Sequence, residues 1–194
     1  MKIGLFGGTF DPVHVGHLII AETVSSDFLL DRVFFIPAAK PPHKNGNSVS
    51  PPDRRLEMLK LAIEDHSHFD VSDAEIQRGG ISYTVDTIRW FQESASLKGG
   101  SFFLIIGSDS LYDIKNWKHP EEILSNIHVL VIERPGFERE EIGEKYSEHV
   151  QWVSVPQVQI SSTEIRKRIR EKKSIRYWVP RKVEAYIHDR GMYL

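Results

Sequence analysis

The sequence predicts an α/β fold: a doubly wound, mostly parallel sheet with helices on both faces, in three layers. Two observations carry that prediction. Four short runs, residues 2–7, 33–36, 102–106 and 129–132, are apolar without alternation. Strands of that kind are covered on both faces and belong in the middle of a parallel sheet. The segments between them have helical period, and strand–helix alternation is the signature of a wound sheet.

Taken in order, residues 2–7 read as a buried first strand that runs into Gly7-Gly8 and an apolar stretch, Leu18-Ile19-Ile20-Ala21. Leu56, Leu59 and Ile63 fall on one face of a helix that starts at either the second proline or the aspartate of Pro51-Pro52-Asp53. Ile88 with Phe91 or Gln92 suits a helix after Ser82-Tyr83-Thr84. Ile165 and Ile169 stand at i, i+4 in a basic helix. Val183, Tyr186 and Ile187 line a last helix after Pro180 that stops near Gly191. Residues 69–71 and 151–155 are shorter strand candidates. Two segments stand apart. Residues 37–52 are rich in Pro, Asn, Gly, Ser and Lys and read as a long loop, a type that is usually functional or disordered. Residues 138–149 are charged and peripheral. No composition shift marks a linker, so residues 1–194 are expected to form one domain, with a small helical extension from about residue 156.

Composition narrows the function. With 25 Lys and Arg against 27 Asp and Glu, the net charge is −2. Such a chain is a poor nonspecific nucleic-acid binder, since that role needs many phosphate contacts. It has no cysteine, which excludes a disulfide scaffold, a thiolate metal site and thiol catalysis. No apolar run approaches the ~20 residues of a membrane span, and the first ten residues are too Gly-rich for a signal sequence. A cytoplasmic protein is expected.

The most informative segment is residues 7–17, Gly-Gly-Thr-Phe-Asp-Pro-Val-His-Val-Gly-His. It fills the first strand-to-helix turn, where open α/β sheets bind ligands. Gly7 and Gly8 let a ligand approach the backbone, and helix N-terminal amides favour an anion. Neither G-x-G-x-x-G nor the P-loop pattern is present. Instead His14 and His17 stand three apart, on one face of the helix start. Gly16 between them leaves room for phosphate oxygens, and both rings donate hydrogen bonds to charge developing on a phosphoryl group. No adjacent carboxylate completes a metal site with them. A second motif, Ile160-Ser161-Ser162-Thr163-Glu164-Ile165-Arg166, opens a helix. Ser161 or Ser162 caps it, and Ser161 with Glu164 has capping-box spacing. Hydroxyls and a first-turn Arg at a helix N-terminus also make a polyphosphate seat.

Together these motifs resemble the HxGH nucleotidyltransferases. Pro41-Pro42-His43-Lys44, Ser82-Tyr83-Thr84-Val85-Asp86-Thr87, Ile106-Gly107-Ser108-Asp109, Trp117, Arg134-Pro135-Gly136 and Gly191-Met192-Tyr193 bring the resemblance closest to the bacterial nicotinate-nucleotide adenylyltransferases. It implies a Rossmann-like nucleotidyltransferase that moves AMP from ATP, accompanied by Mg²⁺, to nicotinate mononucleotide. Deamido-NAD and pyrophosphate result, by in-line attack on the α-phosphorus, in a step of NAD biosynthesis. The attacking phosphate is already ionised near neutral pH, so no general base is called for. The small-molecule substrates are the implied partners; the resemblance leaves homo-oligomerisation open.

The resemblance also implies roles. His14, His17 and Arg166 act on the phosphates. Gly7, Gly8, Thr9, Phe10, Gly107, Asp109, Ile160, Ser161, Ser162 and Thr163 bind ATP. Lys44, Ser82, Tyr83, Thr84, Trp117 and Arg134 bind nicotinate mononucleotide, with Trp117 stacked on the pyridine ring. No protein metal ligands are implied. Asp109 either accepts a ribose hydroxyl or caps the helix after its strand. Backbone amides at Tyr83 and Thr84 suit a carboxylate, and an amide's NH₂ would oppose them. Two residues depart from the pattern. Val13 stands where relatives often have Pro, which loosens the turn before the histidines. Lys118 stands where many have an aromatic, which removes the outer wall of the pyridine pocket. The 37–52 loop is expected to move on acceptor binding.

Overall fold

A computed structural model describes residues 1–41, 49–133 and 149–194. Six strands, β1 (Lys2–Gly8), β2 (Arg32–Pro37), β3 (Phe69–Val71), β4 (Ser101–Gly107), β5 (His128–Ile132) and β6 (Val150–Val153), form one sheet in the order β3-β2-β1-β4-β5-β6. Every pairing is parallel. All six strands legible in the sequence are present. The last ends two residues early, leaving Ser154 and Val155 outside it.

Parallel strands alternate their side chains between two covered faces, and the core divides accordingly. On one face Phe6, Phe35, Ile105 and Leu130 pack with α1 (Val15–Phe28), α2 (Pro52–Ile63) and the two C-terminal helices. On the other, Ile3, Leu5, Leu104 and Val131 pack beneath α4 (Thr84–Glu93) and α6 (Pro120–Asn126). Two short helices, α3 (Ala74–Arg78) and α5 (Ser108–Tyr112), have no signature in the apolar period. They are single turns after strands, too brief to show one. The C-terminal helices α7 (Ser162–Arg170) and α8 (Arg181–Asp189) insert Ile165, Ile169, Val183 and Ile187 into the same core as Phe6.

Several helix starts follow from local chemistry. α2 begins at the second proline, with Pro51 in the capping position. That settles the choice against Asp53, and the fixed φ of proline suits the first turn. α7 is capped by Ser161, whose hydroxyl accepts the Glu164 amide at 3.1 Å. The interior is tight at Gly4: a Cβ there would lie 2.9 Å from Leu30 Cδ1, which would have to shift. The middle of the 37–52 loop and most of the charged 138–149 segment lie outside the described residues. Among the described residues, no helix is long and apolar enough to cross a membrane.

Candidate active site

The strand order turns back between β1 and β4, and their carboxyl ends open onto a cleft of about 540 Å³. That is the crevice where wound sheets hold ligands, and the volume suits a small-molecule site. Gly7, Gly8 and Thr9 at the end of β1 and Gly107 and Asp109 after β4 line it. The α1–α7 layer contributes His17 and Ser162. The α4–α6 layer contributes Ser82, Tyr83, Thr84, Trp117 and Lys118. Gly7 has open space where a Cβ would be, so the floor is bare backbone there.

The two histidines are built into the start of α1. His14 takes the N-cap, and its amide donates to His17 Nδ1 at 3.2 Å. With Nδ1 accepting, the proton of the neutral His17 ring sits on Nε2. The rings stack with centroids 3.7 Å apart. Phe10, itself buried and at φ 49°, meets the His17 ring edge-on at 4.9 Å and props it from below. A Cβ at Gly16 would lie 3.1 Å from His14 Nδ1. Its space therefore belongs to the His14 ring, rather than to the phosphate oxygens expected from spacing.

The distal motif docks on the same turn. Ser162 Oγ donates to the Pro12 carbonyl at 2.8 Å, and Arg166 Nη1 donates to the Asp11 carbonyl at 2.7 Å. Val13 is fully buried. Apolar burial and these two bonds hold the turn that Val13 was expected to loosen. Asp11 is a hub: Oδ1 accepts from the Tyr193 hydroxyl at 2.6 Å and Oδ2 from the Ser50 amide at 3.1 Å. Burial and the Asp11 charge push the Tyr193 phenol upward. Beside it Arg55, with no exposed surface, donates to the carbonyls of Thr9 (2.8 Å), Ala38 (2.6 Å) and Ser50 (2.9 Å). Burial pulls its guanidinium below the usual arginine value, while Asp11 works the other way.

On the other side, Tyr83 caps α4, so the amides of its first turn face the carboxyl ends of the strands. Ser82 Oγ accepts the Ala39 amide at 2.9 Å, which ties this turn to the loop after β2. Buried Glu75 accepts from Thr87 Oγ1 at 2.6 Å. Burial pushes its carboxyl above the usual range, against the bonds from Ser82 and Thr87 and the charge of Arg78.

The sequence matches the cytidylyltransferase-like family model over residues 5–168. It is 43% identical to a protein of Desulfitobacterium hafniense, over 99% of this chain and 95% of that one. It is 44% identical to one of Thermus thermophilus, over the whole of both. Each relative is named "Probable nicotinate-nucleotide adenylyltransferase". The chain belongs to the nicotinate-nucleotide adenylyltransferase family. Its fold matches the Plasmodium falciparum nicotinic acid mononucleotide adenylyltransferase complexed with NaAD, with TM-score 0.82 and 22% identity, over 99% of this chain and 97% of that one.

Not every residue expected at the site reaches the cleft. Of the distal motif, only Ser162 lines it. Ile160, Ser161, Thr163 and Arg166 stand behind: Ser161 is engaged in capping, and Arg166 is held by Asp11 and by Thr163 Oγ1 at 3.3 Å. His14 is buried beneath His17's side of the cleft and does not line it. Gly107, not Asp109, takes the N-cap of α5, so Asp109 faces the cleft from the second helical position. Lys44 and Arg134 lie outside the described residues. The walls of the site also depend on residues that motif spacing missed. Arg55 carried a signal, four residues before Leu59 on a core-facing stripe. It, rather than half-buried Leu56, occupies the buried face of α2. Glu75 had none, lying in a helix too short for periodicity.

Proposed function

We propose that this chain transfers AMP from ATP to nicotinate mononucleotide, giving deamido-NAD and pyrophosphate. The observation that carries the reading is one cleft with two unlike ends. His17 and Ser162 stand on the α1–α7 side, and Tyr83, Thr84 and Trp117 on the α4–α6 side, with the bare backbone of Gly7 between. A triphosphate and a pyridine acid placed at those ends meet over β1.

The acceptor's phosphate oxygen forms a bond to the α-phosphorus as the bond to pyrophosphate breaks in line. Positioning and charge neutralisation supply the catalysis. His17 Nε2–H donates to the charge that builds on the phosphate oxygens, and His14 holds that ring by its stacked face and its amide. Arg166 acts from behind by fixing the turn, with its remaining N–H groups toward the polyphosphate. ATP enters as its magnesium complex, the ion carried by the triphosphate. The first amides of α4 donate to the nicotinate carboxylate, and Trp117 covers the ring. Residues 1–194 then work as one catalytic domain in the cytoplasm, without membrane or nucleic-acid partners.

A pyrophosphate-release assay with MgATP tests this, comparing nicotinate mononucleotide, its amide and phosphopantetheine. Strong preference for the acid is expected. Preference for the amide overturns the acceptor pocket, and turnover of phosphopantetheine alone overturns the acceptor class.

A further inference from the structure

Lys118 occupies the place where an aromatic wall was expected, and its surroundings give it a different task. Its Nζ lies 4.8 Å from the centroid of the Tyr83 ring, on a side chain that lines the cleft. The same ammonium contacts both Asp86 oxygens, at 2.9 and 3.2 Å. Asp86 is the third residue of α4, in the turn whose amides would receive an acidic ligand. A carboxylate there competes for the positive helix end and repels a second carboxylate. Another cation, Arg89, stands 3.6 Å from Asp86 but is drawn off by Glu122 through two bonds of 2.7 and 2.6 Å. Among the described residues, Lys118 is therefore the cation that neutralises Asp86 on the cleft side.

We propose that Lys118 is a specificity residue: laid on Tyr83 and paired with Asp86, it cancels the one carboxylate in the first turn of α4 and lets that helix end select an acid over an amide. This rests on the acceptor reading above. The amide mononucleotide shares every feature of the acid except the charge, so it serves as the internal control. Removing a packing wall weakens both acceptors alike, whereas removing a charge weakens the acid alone.

The test compares kcat/KM for nicotinate and nicotinamide mononucleotides in the wild type, Lys118→Met and Lys118→Met/Asp86→Asn, with thermal melts to verify folding. Methionine keeps much of the stem that covers Tyr83. Lys118→Met is expected to lower the acid-to-amide ratio about tenfold, through loss on the acid, as expected for an uncompensated nearby like charge. The double variant is expected to recover most of that ratio. Equal losses on both acceptors, an unchanged ratio, or a double variant no better than Lys118→Met each overturn the proposal. A wild type that uses neither mononucleotide fails the acceptor reading and this proposal with it. A wild type that prefers the acid, beside an unchanged ratio in Lys118→Met, fails the role of Lys118 alone.

Discussion

The neutral His17 ring carries its proton on Nε2 because the His14 amide occupies Nδ1 at 3.2 Å. The spacing of the two histidines was visible in the sequence. The tautomer was not, since it depends on where the N-cap falls. His17→Ala is expected to lower kcat by about 10²–10³, the cost of one donor aimed at developing charge. ATP affinity, read by titration calorimetry, should change only a few-fold. Near-normal turnover would remove His17 from the chemistry. Glu75 supplies a stability prediction. Its carboxyl is raised by burial, so the folded state holds the proton more tightly than the unfolded chain. Its contribution is then fully present below the ordinary carboxylate value of 4.5 and is lost as pH rises through the raised folded value. Urea melts of Glu75→Gln and wild type should show the variant gaining on the wild type over the range that starts at pH 4.5 and runs upward through the raised folded value. A constant difference across that range refutes the buried titration.

At the scale of elements, α2 does more than cover the sheet. Arg55 ties the loop after β1 to the loop after β2 through the carbonyls of Thr9, Ala38, Ala39 and Ser50, so both loops depend on one side chain. Arg55→Met removes those donors and leaves buried acceptors unmet. A loss of about 3 kcal/mol is expected from urea unfolding, with KM for both substrates rising. A loss under ~0.5 kcal/mol, the level of an ordinary surface change, would show that the loops hold without it. The periodicity of Leu59 and Ile63 predicted this helix correctly. It misjudged the buried face by about one residue, because a polar side chain satisfied by backbone carbonyls is as much at home in the interior as a leucine.

At the scale of the molecule, the chain returns at its end to its first turn. The Tyr193 hydroxyl reaches Asp11, which is 2% exposed, while Arg166 holds the Asp11 carbonyl. Tyr193→Phe keeps the ring and deletes the bond. It should cost about 2 kcal/mol, the range of a hydrogen bond to a charged group, and shift the thermal midpoint down. An unchanged midpoint would mean that the clasp contributes nothing. The sequence by itself determined the six strands, their parallel association and the two motifs that meet at the first strand-to-helix turn. Those follow from apolar runs and local capping chemistry, which act over a few residues. Tertiary structure alone decided which motif residues face the cleft and which brace the turn. It placed Arg166 against Asp11 and Lys118 on Tyr83, and it spent the space at Gly16 on a histidine ring. Those outcomes depend on contacts between segments as far as 182 residues apart. No local pattern encodes such contacts, because each side chain's partner is chosen by packing in three dimensions.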